Sequence, residues 1–286
     1  MAHSKKIWIT GAGGLLGAEV ARRFQSGDRY EVIAADRAAL DITDPRAVDD
    51  RLRSFRPDIV INCAAFTAVD LCESAEKAAL GVNGDGAGFV AAGAAAVGAR
   101  LIHISTDYVF EGDAASPYAV DHPPGRPERL SAYGRSKLLG EQRVAAAHPG
   151  ALIVRTAWLY GAAGPCFPKT ILAAARQRQE LKVVDDQRGS PTYARDLADG
   201  LFRLAATDLT GICHVTNAGS CTWYEFAREI LRVAGLATPV HPVTTAEFPR
   251  PARRPAYSVL DNRRYIEATG HPLRHWTEAI AAFLRE

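Results

Sequence analysis

The sequence predicts an α/β protein: a doubly wound parallel sheet carrying a smaller α/β lobe. Three observations lead there. Apolar runs alternate with helix-periodic segments through the first half of the chain, a glycine-rich turn joins the first run to the first helix, and the composition is that of a globule with a large core. With 286 residues, 48% hydrophobic and 23% charged, the chain is excluded from the disordered class and should fold as one large or two coupled domains. Its 34 basic residues nearly balance 32 acidic ones, so no single-signed field points to nucleic acid. The expected partner is a small molecule.

In chain order, Ile7–Thr10 reads as a strand, Gly11–Gly17 as a tight turn, Leu16–Phe24 as a helix and Glu31–Ala35 as a second strand ending at Asp36, a βαβ unit. Helix Pro45–Phe55 then leads into strand Asp58–Cys63, and an alanine-rich helix at Gly84–Val97 into strand Arg100–Ser105. This rhythm implies a parallel sheet covered on both faces, with right-handed crossovers. A proline-rich loop follows at Asp121–Pro127, then helix Ser136–Ala147 and strand Ala151–Thr156. Beyond it the pattern loosens, with helices near Lys169–Gln179 and Trp223–Ala234. The expected division assigns 1–156 and 192–216 to the sheet domain and 157–191 and 217–286 to the smaller lobe.

Five scattered cysteines, odd in number and without a Cys-x-x-Cys pair, suggest reduced thiols and a cytoplasmic protein. The Met1–Lys6 start has no signal-peptide apolar core, and no segment is long and apolar enough to cross a bilayer. The histidines show no metal-ligand spacing, so no metal is expected.

Gly11, Gly14 and Gly17 give Gly-x-x-Gly-x-x-Gly between the first strand and the first helix. Backbone N–H groups at that helix N-terminus, with Leu15 and Leu16, can approach a pyrophosphate without a Cβ in the way, which makes the fold Rossmann-type. Asp36, nineteen residues past Gly17, suits the ribose hydroxyls of NAD, whereas Arg37 beside it suits a 2′-phosphate. NADPH is the expected cofactor, with NADH also accepted. Asp41 and Ile42 are placed at the adenine pocket, or in an ordinary loop. Cys63, Ala64 and Ala65, small residues ending the third strand, leave room for the cofactor across the strand ends, and Thr67 follows them.

Tyr133 and Lys137 stand four apart, so on a helix they share one face. An ammonium beside a phenol favours phenolate, and the phenol's pKa is expected to fall from about 10 toward working pH, as carbonyl reduction requires. The fourth strand delivers Ser105-Thr106-Asp107-Tyr108 to the same edge, where the Thr106 hydroxyl can bond a substrate carbonyl. Lys137 should also reach the nicotinamide ribose.

Together with Phe66-Thr67-Ala68-Val69-Asp70-x-x-Glu73, Ser105-Thr106-Asp107-Tyr108-Val109-Phe110, Tyr133-Gly134-x-x-Lys137, Arg155-Thr156-Ala157-Trp158-x-Tyr160, Asp186-Gln187-x-Gly189-x-Pro191-Thr192 and Arg254-Pro255-x-x-Ser258-x-Leu260, the chain resembles the dTDP-4-dehydrorhamnose reductase family of extended short-chain dehydrogenase/reductases over nearly its full length. The resemblance implies that Thr106, Tyr133 and Lys137 are catalytic and that the substrate is a dTDP-sugar held by Val69, Asp107, Tyr108 and Trp158, with Arg254 on its diphosphate. The reaction implied is reduction of a C4 ketone by NADPH, giving dTDP-L-rhamnose, in a monomer or homodimer that binds neither nucleic acid nor membrane. Two departures matter. Cys166 stands where the family often has Asn, and Arg195 stands where a magnesium-binding carboxylate would pair with Glu19 across a dimer, so no metal-bridged dimer is expected. Two other readings remain at this stage: a reductase for a related dTDP-4-keto-6-deoxysugar, and a non-catalytic dinucleotide-binding regulatory subunit.

Overall fold

The computed structural model of the chain describes residues 4–27 and 29–286. The Met1–His3 start, read above for a signal peptide, lies outside the described residues. Strands β1 (Lys5–Thr10), β2 (Tyr30–Ala35), β3 (Ile59–Asn62), β4 (Arg100–Thr106) and β5 (Leu152–Thr156) join a closing strand, Gly211–His214, in one parallel sheet of order β2-β1-β3-β4-β5-closing. Connections from β1 run outward in both directions, so the ends of β1 and β3 form the switch point at which open α/β sheets bind ligands.

Alternation along each strand explains the continuous apolar runs. Ile7, Ile9, Ile61, Ile102 and Val154 point to one face, where α1 (Leu15–Gln25) and helix Ala194–Leu204 cover them. Trp8, Val60, Leu101 and Ile153 point to the other, under α2 (Pro45–Phe55) and the Ala87–Ala96 helix. A sheet buried on both faces needs apolar residues at both parities, and each large one contributes about 1.5–3 kcal/mol. Local chemistry sets α2 as expected: the Asp44 side chain accepts from the Arg46 and Ala47 N–H groups, Pro45 opens the helix, and Arg56 closes it in a left-handed conformation (φ 49°).

Three helices depart from the sequence reading. The expected Gly84–Val97 helix is preceded by a π-helical turn at Leu80–Gly86 and is α-helical only over Ala87–Ala96. The wider turn faces Asn83 inward, where it bonds both backbone groups of Phe66 and the Ser136 hydroxyl. The helix expected from Ser136 begins at Ala132, because Ser131 Oγ accepts from Gly134 N–H and Glu73 Oε1 accepts from Ala132 N–H. The Phe167–Gln177 helix starts two residues before the expected Lys169, with Pro168 in its first turn.

A third core, around Tyr160, Phe226, Ile230, Trp276 and Phe283, holds the Phe167–Gln177, Trp223–Val233 and Trp276–Phe283 helices together. Strand Leu181–Val184 pairs parallel with Val240–Val243 beside it. The Arg263–Thr269 helix departs from this group, placing Tyr265 in the core between the main sheet and α1.

Candidate active site

At the switch point the strand ends and the third core bound a cleft of about 860 Å³. Its floor begins at the glycine turn. Gly11 has φ +66°, and a Cβ there would lie 2.6 Å from Ala64 N; a Cβ on Gly17 would lie 2.1 Å from the Gly11 carbonyl oxygen. Gly14 caps α1 without any side-chain bond, so the first N–H groups of that helix face the cleft with no side-chain partner. This cradle, whose close backbone packing a side chain at Gly11 or Gly17 would force apart, fits a dinucleotide pyrophosphate. Leu15, Leu16, Cys63, Ala64, Ala65 and Thr67 line the same space.

Asp36 and Arg37 sit side by side and exposed at the end of β2, both on the cleft. Asp36 accepts the Ala39 N–H at 2.9 Å. Asp41 is engaged locally, accepting from Thr43 N–H and its hydroxyl, which hold its carboxyl below the usual range; Ile42 lies buried beside Gly86 and also reaches the cleft. Beneath the floor runs a buried polar chain: Thr10 Oγ1 donates to Asn62 Oδ1 at 2.6 Å, and Asn62 Nδ2 meets His103 Nδ1 at 3.1 Å.

Thr106, Tyr133 and Lys137 meet in the cleft. The Thr106 hydroxyl donates to Asp107 Oδ1 at 3.0 Å and stands beside the Tyr133 phenol, whose ring packs edge-on to Tyr108 at 5.4 Å. Lys137 is 2% exposed, and its Nζ donates to the Ile104 carbonyl at 2.6 Å.

The expected pKa direction for Tyr133 is corrected. Burial drives the phenol well above 10, with the Thr106 hydroxyl opposing it, because removing the ring from water penalises phenolate. Burial also lowers Lys137, to about 8, against the nearby Glu141 carboxylate. Tyr133 therefore holds its proton firmly at neutral pH, as a neutral phenol and not a resident phenolate. Burial lifts Asp107 to about 6, opposed by the nearby Ser258 hydroxyl and by the bond from Thr106; its Oδ2 and Ser258 Oγ each lack a partner within hydrogen-bond distance.

The far wall is aromatic. Trp158 has a left-handed backbone (φ 47°), and its indole stacks on Trp223 with centroids 3.5 Å apart and planes 5° apart. Gly189 permits this, since a Cβ there would lie 2.5 Å from Trp158 Cε2. Val69 and Tyr108 complete the approach. Arg254 stands apart from the other expected residues: it is not on the cleft lining, its guanidinium pairs with Asp70 at 3.0 and 3.1 Å, and Tyr108 lies against it. Asp70 also accepts from Arg250 and from Ala252 N–H.

Sequence reasoning missed Phe66, Thr156, Ala163, Pro165 and Trp223 on the lining, and Asn83 and Ser136 behind it. Thr156 was accessible, since it ends β5 in register with Thr106. Cys166 is buried and its Sγ–H reaches the Gly161 carbonyl at 3.6 Å, while Arg195 Nε lies 3.7 Å from Glu19 and its Nη1 pairs with Glu286. Among the described residues no group of three or more His, Cys, Asp or Glu side chains is placed to hold a metal ion.

The family model described as RmlD substrate binding domain matches residues 5–286. A dTDP-4-dehydrorhamnose reductase of Streptomyces griseus is 45% identical over 95% of this chain and 90% of its own length. A probable dTDP-4,6-dihydroxy-2-methyloxan-3-one 4-ketoreductase of Streptomyces antibioticus is 46% identical over 95% of this chain and 92% of its own. The crystal structure of a Bacillus anthracis dTDP-4-dehydrorhamnose reductase in complex with NADP superposes with a TM-score of 0.94 at 39% identity, covering 99% of both chains. With this match spanning the sheet, the cleft and the third core alike, the chain belongs to the dTDP-4-dehydrorhamnose reductase family.

Proposed function

We propose that this chain is an NADPH-dependent reductase that converts the C4 ketone of dTDP-4-dehydro-6-deoxy-L-mannose (dTDP-4-dehydro-L-rhamnose) into the alcohol of dTDP-L-rhamnose. The observation that carries the reading is the meeting, in one cleft, of a side-chain-free cradle at the α1 N-terminus with the Thr106–Tyr133 hydroxyl pair and the buried Lys137. The relatives' names and the NADP complex of the Bacillus anthracis protein support the substrate class and the cofactor. When bound, NADPH supplies the hydride.

The chain's own residues do the rest. Gly11, Gly14 and Gly17 hold the pyrophosphate, Asp36 and Arg37 face the adenosine ribose, and Lys137 holds the nicotinamide ribose. Thr106 and Tyr133 donate hydrogen bonds to the ketone oxygen, and the Tyr133 phenol gives its proton to that oxygen as the alkoxide forms. A phenol whose pKa burial has raised still protonates an alkoxide readily, because the alkoxide is the far stronger base. Asp107, Tyr108, Val69 and Trp158 shape the sugar pocket, and Arg254 leaves Asp70 for the diphosphate. The sheet with residues 1–156 and 192–216 is the cofactor domain in this reading, and 157–191 with 217–286 the sugar lobe. The protein acts as a monomer or homodimer in the cytoplasm, where its five free thiols stay reduced; among the described residues no helix is long and apolar enough to cross a membrane.

The test is kinetic. Purified protein with dTDP-4-dehydro-L-rhamnose oxidises NADPH, and Tyr133→Phe keeps NADPH affinity while kcat falls by about 10²–10⁴. A Phe variant with full turnover removes the assigned acid. The Streptomyces antibioticus relative favours one second reading, a related dTDP-4-keto-6-deoxysugar as substrate, which a panel of such sugars resolves by kcat/KM.

A further inference from the structure

Tyr133, Lys137 and Glu141 recur at every fourth residue of the Ala132–Ala147 helix, so they stack along one face, toward the ends of β4 and β5. The first two line the cleft, while Glu141 lies one turn deeper, 5% exposed, and takes no part in the chemistry above. A lysine and a glutamate four apart on a helix ordinarily pair directly. Here they do not.

Glu141 is committed elsewhere. Its Oε1 accepts from Ser105 Oγ at 2.6 Å and from Arg155 Nε at 2.8 Å, and its Oε2 from Arg155 Nη2 at 2.7 Å. Arg155, fully buried on β5, presents a planar fork that matches both carboxylate oxygens, which a single ammonium cannot match. Its guanidinium also lies over the Phe110 ring at 5.0 Å, which fixes it further. Outcompeted for Glu141, Lys137 keeps one bond, to the Ile104 carbonyl, and two ammonium protons for the cleft. A buried ion pair of this kind adds little net stability, since desolvation offsets its attraction, so its value lies in what it orients.

We propose that Glu141, locked by Arg155 and Ser105, is a positioning residue for Lys137: its carboxylate supports the ammonium across one helical turn while its occupied lone pairs leave that ammonium aimed into the cleft. The proposal rests on the catalytic reading of Lys137. Groups from every neighbouring element face this lysine: Tyr133 and Glu141 from its own helix, Cys63 from beyond β3, His103 from β4 and, through Glu141, Arg155 from β5. Burial keeps Cys63 a neutral thiol, lifted to about 12, and His103 a neutral imidazole, held well below its ordinary value. Glu141 is thus the anion of the set, and it opposes the burial that lowers Lys137.

The experiment follows Lys137 directly. The chain has six lysines, so ¹³Cε-lysine labelling gives a small set of resonances, and Lys137→Arg identifies the one that matters. In the parent protein that resonance titrates near pH 8, apart from the exposed lysines. Glu141→Gln keeps the shape and removes the charge, and the Lys137 midpoint falls by about one pH unit, a tenfold loss of proton affinity; the basic limb of kcat moves down with it. The double variant Glu141→Met with Arg155→Met removes both charges at similar volume, a change buried pairs tolerate, and shows a smaller shift in the same downward direction should the single variant not fold, since the nearer charge is the one that supports the ammonium. An unchanged midpoint in the folded variants overturns the proposal. The resonance needs no substrate: a shift in a protein that never oxidises NADPH rejects the reductase reading and keeps the positioning role, whereas an unmoved resonance in an active protein does the reverse.

Discussion

Along one wall of the cleft the backbone itself forms the surface, with Gly11, Gly14 and Gly17 packed so closely that no Cβ fits at the first or the last; across from it, Trp158 and Trp223 form a surface of side chains, the first on a strained backbone, and the Arg254–Asp70 pair stands off the lining. The glycine wall has no side chain to move and gains its fit from the sheet and α1 beneath it. The aromatic wall is built from segments far apart in sequence, and its parts are held by each other. A polar tail common to many ligands suits the first arrangement, and a variable sugar suits the second.

The largest effect should come from breaking the glycine wall. Gly17→Ala sets a methyl 2.1 Å from the Gly11 carbonyl oxygen, so α1 must retreat at a cost of about 1–3 kcal/mol, and NADPH Kd rises about 10- to 100-fold. Isothermal titration measures it; an unchanged Kd means the wall is not close-fitting. Trp158→Ala probes the other side. It removes a stacked pair worth about 0.5–1.5 kcal/mol beyond its area, so KM for the keto sugar rises about tenfold while NADPH Kd holds. A shift in NADPH Kd instead would show that the two walls are not independent.

The smallest effect concerns Asp107, between the walls. In the fold its carboxyl keeps its proton to about pH 6, whereas an unfolded aspartate releases it near 3.8. Below that lower value both states are protonated and the group costs nothing; as pH rises from 3.8 through 6 the unfolded chain releases a proton that the folded one still holds, so stability falls and then levels off. Asp107→Asn escapes this loss. Its Tm should exceed the parent's by about 3 °C above pH 6 and match it below pH 4. A gap that is constant with pH would remove the titration from the account.

Legibility follows the same divide. The glycine turn, the strand ends and the Tyr133–Lys137 spacing are local patterns, governed by period and by the absence of a Cβ, so they stand out in the chain itself. The π-helical turn at Leu80–Gly86 did not, because it depends on Asn83 finding Phe66 and Ser136, partners 17 and 53 residues away. Trp223 likewise reads as an ordinary helix start until Trp158 lies on it. The direction of the Tyr133 pKa is hidden for a related reason: the Lys137 spacing is visible in sequence, whereas the desolvation that raises the phenol is a property of the assembled site.

The path of the chain after the third core bears on how the protein is made. Helix Ala194–Leu204 packs on α1, and Tyr265 joins the same core, although α1 itself ends at Gln25. During synthesis the first βαβ unit therefore emerges with its apolar surface uncovered on that face until about 170 further residues have followed. Such long-range closure slows folding and leaves the nascent chain dependent on protection from aggregation.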